Sequence, residues 1–299
     1  MSINTLTKIG LIAFIALFIN ISFGFSQKKK DKNNNDEEPA IQNRSWSLGI
    51  NCGGAFASRY QANFYNGADG NQNELSYILN NPYYKEEIKR VLNDTFALDG
   101  MPTRMKYNPA LAFGFLVKKH INNNVGVFIQ FNYSKFTAQD QFTLKLGATS
   151  TSAAFPNLKN YAIWGKEERI NIDFGVSGEI LLAPKIYGFL EGGFNLNNTR
   201  VLENKIQIES LEYSIINIYG GQQYIPNTQL QEYKVHEGGI GIGAFLSPGV
   251  EFRFNDNVAV DILGSIYWSK INLMHYNSFK PQYAVTLRFM FSTQFVKSL

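Results

Sequence analysis

Residues 170–196 read INIDFGVSGEILLAPKIYGFLEGGFNL. Successive side chains of an extended chain point to opposite sides, so Ile170, Ile172, Phe174, Val176 and Ile180 share one face. Asn171, Asp173, Gly175, Ser177 and Glu179 share the other. Ala183-Pro184-Lys185 supplies a tight turn. After it, Ile186, Leu190, Phe194 and Leu196 oppose Glu191, Gly193, Asn195 and Asn197. This is a hairpin with one large apolar face and one face of glycine, small polar and acidic residues.

The same period recurs on both sides of the hairpin. Upstream, Trp46, Leu48, Ile50 and Cys52 oppose Ser45, Ser47, Gly49 and Asn51; Leu111, Phe113, Phe115 and Val117 oppose Ala110, Ala112 and Gly114. Val125, Val127, Ile129, Phe131 and Tyr133 then oppose Gly126, Gln130, Asn132 and Ser134. Downstream, Ile240, Ile242, Leu246, Val250 and Phe252 oppose Gly241, Gly243, Ser247, Glu251 and Arg253. Val258, Val260, Ile262, Ile266 and Trp268 oppose Asp261, Ser265 and Ser269, and Tyr283, Val285, Leu287, Phe289 and Phe291 oppose Ala284, Thr286 and Arg288. That makes eight strands, each with an apolar face near the nine residues that a tilted strand needs to cross hydrocarbon.

A soluble β-sandwich alternates too, so the connections decide the environment. Residues 121–124, 183–185 and 255–257 are tight turns, whereas 57–106, 137–165, 198–237 and 270–280 are longer and polar. Strict short/long alternation places every tight turn at one end, as in outer-membrane barrels with periplasmic turns and external loops. The expected fold is all-β: a closed, eight-stranded, antiparallel up-and-down transmembrane β-barrel with long external loops. Closure removes the open edges that lipid cannot satisfy. Tyr283 to Phe291, alternating and aromatic-ended, is read as the strand that the barrel assembly machinery engages.

Asn171 to Ile180 followed by Lys185 to Gly193 resembles the central hairpin of the PorT-like outer-membrane β-barrel family of Bacteroidota, small barrels of the OmpA/OmpX type. Gly239 to Ala244, Gly249 to Phe252, the Asn255-Asp256-Asn257 turn and Val258 to Asp261 are similar to that family's closing half. The resemblance covers roughly 44–291 and implies an outer-membrane location. Some members assist gliding and type IX secretion, so an accessory role of that kind is one implied function.

Lys8, an apolar run from Ile9 to Ile19 and Gly24-Phe25-Ser26 read as a signal peptide over residues 1–26. Residues 27–43 are polar and mixed in charge, a flexible periplasmic linker, and residues 44–299 form the barrel domain. Of 299 residues, 17% are charged and 14% aromatic; charge is therefore scarce and aromatics abundant for a soluble domain. A net charge of +4 gives no case for nucleic acid, and the single cysteine, Cys52, excludes an internal disulfide framework.

Seven charged residues face the expected lumen: Asp173, Glu179, Glu191, Glu251, Arg253, Asp261 and Arg288. Eight strands leave an interior that side chains just fill, so a structural ion-pair network is the first reading. Conduction or gating is the second. An acid/base pair such as Glu179 with Glu251 is the third. Counting from the tight turns puts Glu179, Glu251, Arg253 and Arg288 together near the periplasmic end. His120 stands at the end opposite His236 and His275, which argues against a three-histidine metal site.

Within 57–106, Asn81-Pro82 begins a short helix at about 82–92 whose Tyr84, Ile88 and Val91 share a face. That helix either caps the barrel mouth or docks a partner. The chain is accordingly expected to be a non-enzymatic outer-membrane barrel with its N-terminus periplasmic. Its role is structural or partner-binding through the external loops, and it needs no cofactor or metal. A secretion or transport accessory, a small pore and an outer-leaflet lipid enzyme are the competing functions. Outer-membrane lipid and a protein at the external loops are the expected partners.

Overall fold

The computed structural model describes residues 46–71, 73–147, 157–216 and 238–292. The expected leader 1–26, the linker 27–43, His236 and any strand past Ser292 lie outside the described residues. In chain order the elements are β1 (Trp46–Phe56), α1 (Arg59–Ala62), α2 (Ser76–Leu79), α3 (Pro82–Leu92), β2 (Phe96–Gly100) and β3 (Lys106–Tyr107). They continue as β4 (Ala110–His120), β5 (Val125–Leu146), β6 (Asn157–Ala183), β7 (Ile186–Ile208) and β8 (Leu211–Ser214). The last are β9 (Gly238–Arg253), β10 (Val258–Lys270) and β11 (Phe279–Ser292).

Eight strands hydrogen-bond antiparallel in a ring. β1 pairs β4, then the pairings pass through β5, β6, β7, β9 and β10 to β11, which returns to β1. Over this stretch no ring strand is an edge. The ring strands are the eight alternating segments of the sequence, and the tight turns at 121–124, 183–185 and 255–257 share one end.

The segments 137–165 and 198–237, expected as loops, are partly strand. β5 runs on to Leu146, β6 begins at Asn157 and β7 runs to Ile208, for lengths of 22, 27 and 23 residues. They rise beyond the ring at its long end, where β2 pairs with β5 and β8 pairs with β7. The cause is a change of side. Up to Tyr133, the odd residues of β5 point outward and are apolar; Val127 and Ile129 are exposed. Beyond Ser134 the odd, outward positions are Lys135, Thr137, Gln139, Gln141, Thr143 and Lys145. The inward Phe136, Ala138, Phe142, Leu144 and Leu146 are buried. The strand period never breaks, but the apolar face moves from outside to inside. In β7, a bulge between Val201 and Glu203 passes the inward side from Val201 to Asn204, Ile206 and Ile208.

The inward face of this extension carries the largest apolar core among the described residues. Leu75, Ile78, Leu79, Ile88 and Leu92 pack there against Phe142, Leu144, Ile163, Ile206 and Ile208. Asn81 caps α3 by accepting from the Tyr83 N–H at 3.0 Å, Pro82 supplies its first turn, and Asn93 ends it in the left-handed region at φ 52°. The packed stripe of α3 is Tyr84, Ile88 and Leu92. Val91, expected on that stripe, is 38% exposed. The buried arc is centred on Ile88 and leans toward Leu92, which leaves Val91 on its outer flank.

Candidate functional site

The ring interior is filled by three tiers of polar side chains, each set by strand register. At the tight-turn end, Lys118 of β4 bonds Glu179 of β6, and Arg253 of β9 donates from Nη2 to the other Glu179 oxygen at 2.7 Å. Arg253 also pairs with Glu251 and lies over the Tyr187 ring at 3.5 Å. Ser47 Oγ and His120 Nε2 are 3.2 Å apart in the same tier. Lys118 was not among the sequence candidates. The small-residue face of its strand continues by parity from Ala110, Ala112 and Gly114 to Leu116 and Lys118, and that continuation was the available signal.

Arg288 does not join this tier, although counting from the tight turns places it there. Register sets Arg288 opposite Asp261 and Asn51, deeper in the ring. It donates to both oxygens of Glu191, to Asp261 Oδ2 at 3.3 Å, to Asn51 Oδ1 at 3.2 Å and to Gln130 Oε1 at 2.7 Å. Beside it, Asp173 accepts from Asn195 Nδ2 at 2.6 Å and from the Tyr267 hydroxyl at 3.0 Å. Neutral amides thus share the work of saturating the buried charges, as desolvated ions require. Apolar side chains close the remaining volume: Leu116, Phe128, Phe245, Ala259 and Met290 form an inward cluster. A Cβ on Gly175 would come within 2.5 Å of the Phe128 ring, so glycine there makes space for the pair Phe128 and Phe245.

The third tier closes the long end and is not legible in the outward apolar pattern, because Glu167 and Arg169 stand at the edge of an expected loop. Glu167 accepts from the hydroxyls of Tyr65 at 2.5 Å and Tyr107 at 2.9 Å. Arg169 bonds the same carboxylate, reaches Gln282 Oε1 at 2.6 Å and lies over the Phe136 ring at 4.8 Å. Tyr65 belongs to the helical segment after β1, so this tier fastens that segment to the ring wall. Gly165, on the same inward face, would place a Cβ 2.0 Å from the Tyr65 ring.

The seven candidate charges therefore fall into two tiers: Glu179, Glu251 and Arg253 in the first, with Asp173, Glu191, Asp261 and Arg288 in the second. Of the other histidines, His275 sits in a turn at φ 63° and offers its backbone carbonyl to the Tyr60 hydroxyl at 3.2 Å. The arrangement holds charges in place.

No family model matches the chain, and no curated protein matches it. Among solved structures, Neisserial surface protein A overlaps it at 7% identity, covering 83% of this chain and 96% of that one with a TM-score of 0.37. The outer membrane protein OprG from Pseudomonas aeruginosa overlaps at 9% identity, 84% and 95% coverage and a TM-score of 0.36. Ail, the attachment invasion locus protein of Yersinia pestis, overlaps at 9% identity, 82% and 94% coverage and a TM-score of 0.32. These are distant likenesses, and the functional reading comes from this chain's own residues.

Proposed function

We propose that this chain is an integral outer-membrane β-barrel protein, plugged by its own side chains, whose folded external end serves structure and partner binding rather than catalysis. The observation that carries this is the change of apolar side within single strands. Around the ring, Ile50, Phe115, Ile129, Ile262 and Val285 are exposed while Asn51, Gln130, Asp261 and Arg288 are buried. An exposed apolar belt that closes on itself fits hydrocarbon, not water. Beyond Ser134 on β5 the arrangement reverts to that of a water-soluble protein. Phe56, Trp268 and Tyr283 stand exposed at the long end of the belt and Trp46, Phe254 and Phe289 at the other, positions suited to interfacial aromatic girdles.

The three buried tiers support a closed lumen, since eight strands leave little space beyond side chains. The test is insertion of the full chain into phosphatidylcholine vesicles, read by heat-modifiable gel mobility, followed by planar-bilayer recording. Insertion without steady conductance is expected. A water-soluble monomer without detergent would sink the membrane reading; large steady conductance would replace the plug with a pore. Protease added to intact cells should cut within 57–106 or 198–237 and spare 27–43; the reverse would invert the orientation.

A finer reading is PorT-like, with an accessory role in type IX secretion or gliding. The glycine-and-turn pattern of 171–193 and 239–261 supports it. Deletion of the gene should then block delivery of secreted proteins to the surface, and normal delivery would reject it.

A further inference from the structure

Directly above the apolar belt, the outward face of the extension changes to cations. In the β5–β6 pairing, Lys135 lies opposite Glu168, Thr137 opposite Lys166, and Gln139 opposite Trp164. β3 sets Lys106 opposite Gln139, and β7 sets Arg200 opposite Glu168. Lys106, Lys135, Lys166 and Arg200 are exposed, and the intervening Phe136 and Ala138 are buried inward, so all four cations share one open face. Immediately below them on that face are Tyr133 and Ile170, the last apolar residues of the belt.

Acids neutralise the patch only in part: two carboxylates, Glu168 and Glu203, stand against its four cations. Lys166 bonds Glu203 at 2.6 Å and Arg200 reaches Glu168 only at 3.5 Å. Glu168, opposite Lys135, is held instead by the Tyr133 hydroxyl at 3.0 Å and by Arg200, and among the described residues no ion pair forms to Lys106 or Lys135. Around them stand hydroxyl- and amide-bearing Thr137, Gln139 and Gln141, with Trp164 steadied by its indole N–H on Glu203 at 3.3 Å.

We infer that this patch binds the phosphate-bearing saccharide headgroups of glycolipid in the outer leaflet around the barrel. The inference rests on the outer-membrane reading, with the long end external. The face is continuous with the belt, so it looks sideways along the membrane and not up into the medium. Its height selects the lipid. From Lys135 to the Lys106 row is two same-face steps, about 13 Å along the strand and roughly 10 Å of height at a barrel strand's tilt of about 40°. A phospholipid headgroup layer is only about 5–8 Å deep on each side. A taller anionic sugar headgroup spans the patch.

The experiment uses the full chain, refolded in detergent and offered purified lipopolysaccharide, the same lipopolysaccharide freed of phosphate, or phosphatidylglycerol. Lipid retained on the captured protein is quantified. Retention of the phosphorylated glycolipid should fall on the order of tenfold or more in Lys106→Gln/Lys135→Gln/Lys166→Gln, and similarly when phosphate is removed from the lipid. Lys145→Gln, at the far tip of the same face, should retain it fully. Equal retention by wild type and triple variant, or a wild-type preference for phosphatidylglycerol, overturns the inference. Insertion into phosphatidylcholine vesicles is read on the same samples. Failure there counts against the barrel, whereas insertion without glycolipid preference counts against this patch alone.

Discussion

Arg288 of β11 and Glu191 of β7 form a two-pronged ion pair across the ring, Nη1 to Oε1 at 2.8 Å and Nη2 to Oε2 at 2.9 Å. Their side chains are 0% and 2% exposed, so neither charge is solvated in place of the other. Removing one partner of such a pair strands the other in a dry interior. Arg288→Ala should destabilise the protein by about 3–5 kcal/mol, and Arg288→Met combined with Glu191→Leu should recover part of that loss. The temperature of the gel-mobility transition measures both. An unchanged transition in Arg288→Ala would show that water fills the tier.

In the proposed outer-membrane reading, the change of apolar side on β5 sets the membrane surface between Tyr133 and Lys135. Ile129 is outward and 51% exposed within the belt; Gln141 is outward beyond it. Ile129→Lys should cost about 2–4 kcal/mol of membrane folding stability, as lysine near a bilayer midplane does, while Gln141→Lys should cost close to nothing. Urea titration in vesicles decides this. Equal effects at the two positions would remove the boundary.

That boundary also explains what could be read from the residues alone. The eight ring strands show themselves because strand alternation with a large apolar face is a strong period-2 signal. The extensions of β5, β6 and β7 keep that period, but their apolar residues are inward and smaller in number, with polar residues such as Gln139 and Asn160 outward. A reading that follows the outward apolar face stops where that face ends, and takes the rest for loop. Bulges at Lys166–Glu167 and Leu181–Ala183 add local breaks in register. In the lumen, acids on a glycine-rich face are conspicuous, whereas Asn51, Gln130 and Asn195 look like ordinary polar residues until register brings them to Arg288 and Asp173. Tyr65 and Glu167 are 102 residues apart, and only tertiary structure joins them.

Helix α3 gives a direct contrast. Ile88 is buried against the extension core, and Val91, one turn on, is not. Ile88→Ala should cost about 2–5 kcal/mol locally, whereas Val91→Ala should stay within about 0.5 kcal/mol. Protease sensitivity of 57–106 in the inserted protein is the readout. Comparable sensitivity of the two variants would mean that α3 packs by a different face.

At the tip of the extension, Glu209 accepts from Lys159 Nζ at 3.0 Å and from the Tyr161 hydroxyl at 3.1 Å. The Lys159 hydrogen bond, helped by Tyr161, holds the Glu209 carboxyl below its usual value. Burial, and then the bond to Glu209, push the Tyr161 phenol up to about 12. The signs differ. The contribution of Glu209 is present above the ordinary carboxylate value of about 4.3 and is lost as pH falls through its lowered folded value. That of Tyr161 is present below about 10 and is lost as pH rises toward the folded value. The tip should therefore be most stable between these limits. Carbon-13 labelled tyrosine spectra should show Tyr161 titrating near the raised value, and earlier in Glu209→Gln. Wild-type titration at an ordinary tyrosine pKa would break the link.

The segment after β1 is held over the ring through Tyr65. The Tyr65 ring packs closely on the backbone of Gly165, and its hydroxyl and that of Tyr107 both meet the Glu167 carboxylate. Asn204 Nδ2 adds a bond to the Tyr65 carbonyl at 3.2 Å. Two separate requirements thus fix Tyr65: space over residue 165 and an acceptor at residue 167. Gly165→Val removes the space, because a Cβ there falls inside the ring's van der Waals surface. Strand backbone at 165 suits valine well, so the ring itself should not suffer. Tyr65→Phe removes only a hydroxyl to a charged acceptor, a loss of about 1.5–3 kcal/mol. External protease should cleave 57–106 quickly in Gly165→Val and more slowly in Tyr65→Phe, with the gel-mobility transition of the ring little changed in both. If Gly165→Val instead lowers that transition as far as Arg288→Ala does, the segment and the ring unfold as one unit, and the third tier is part of the barrel core.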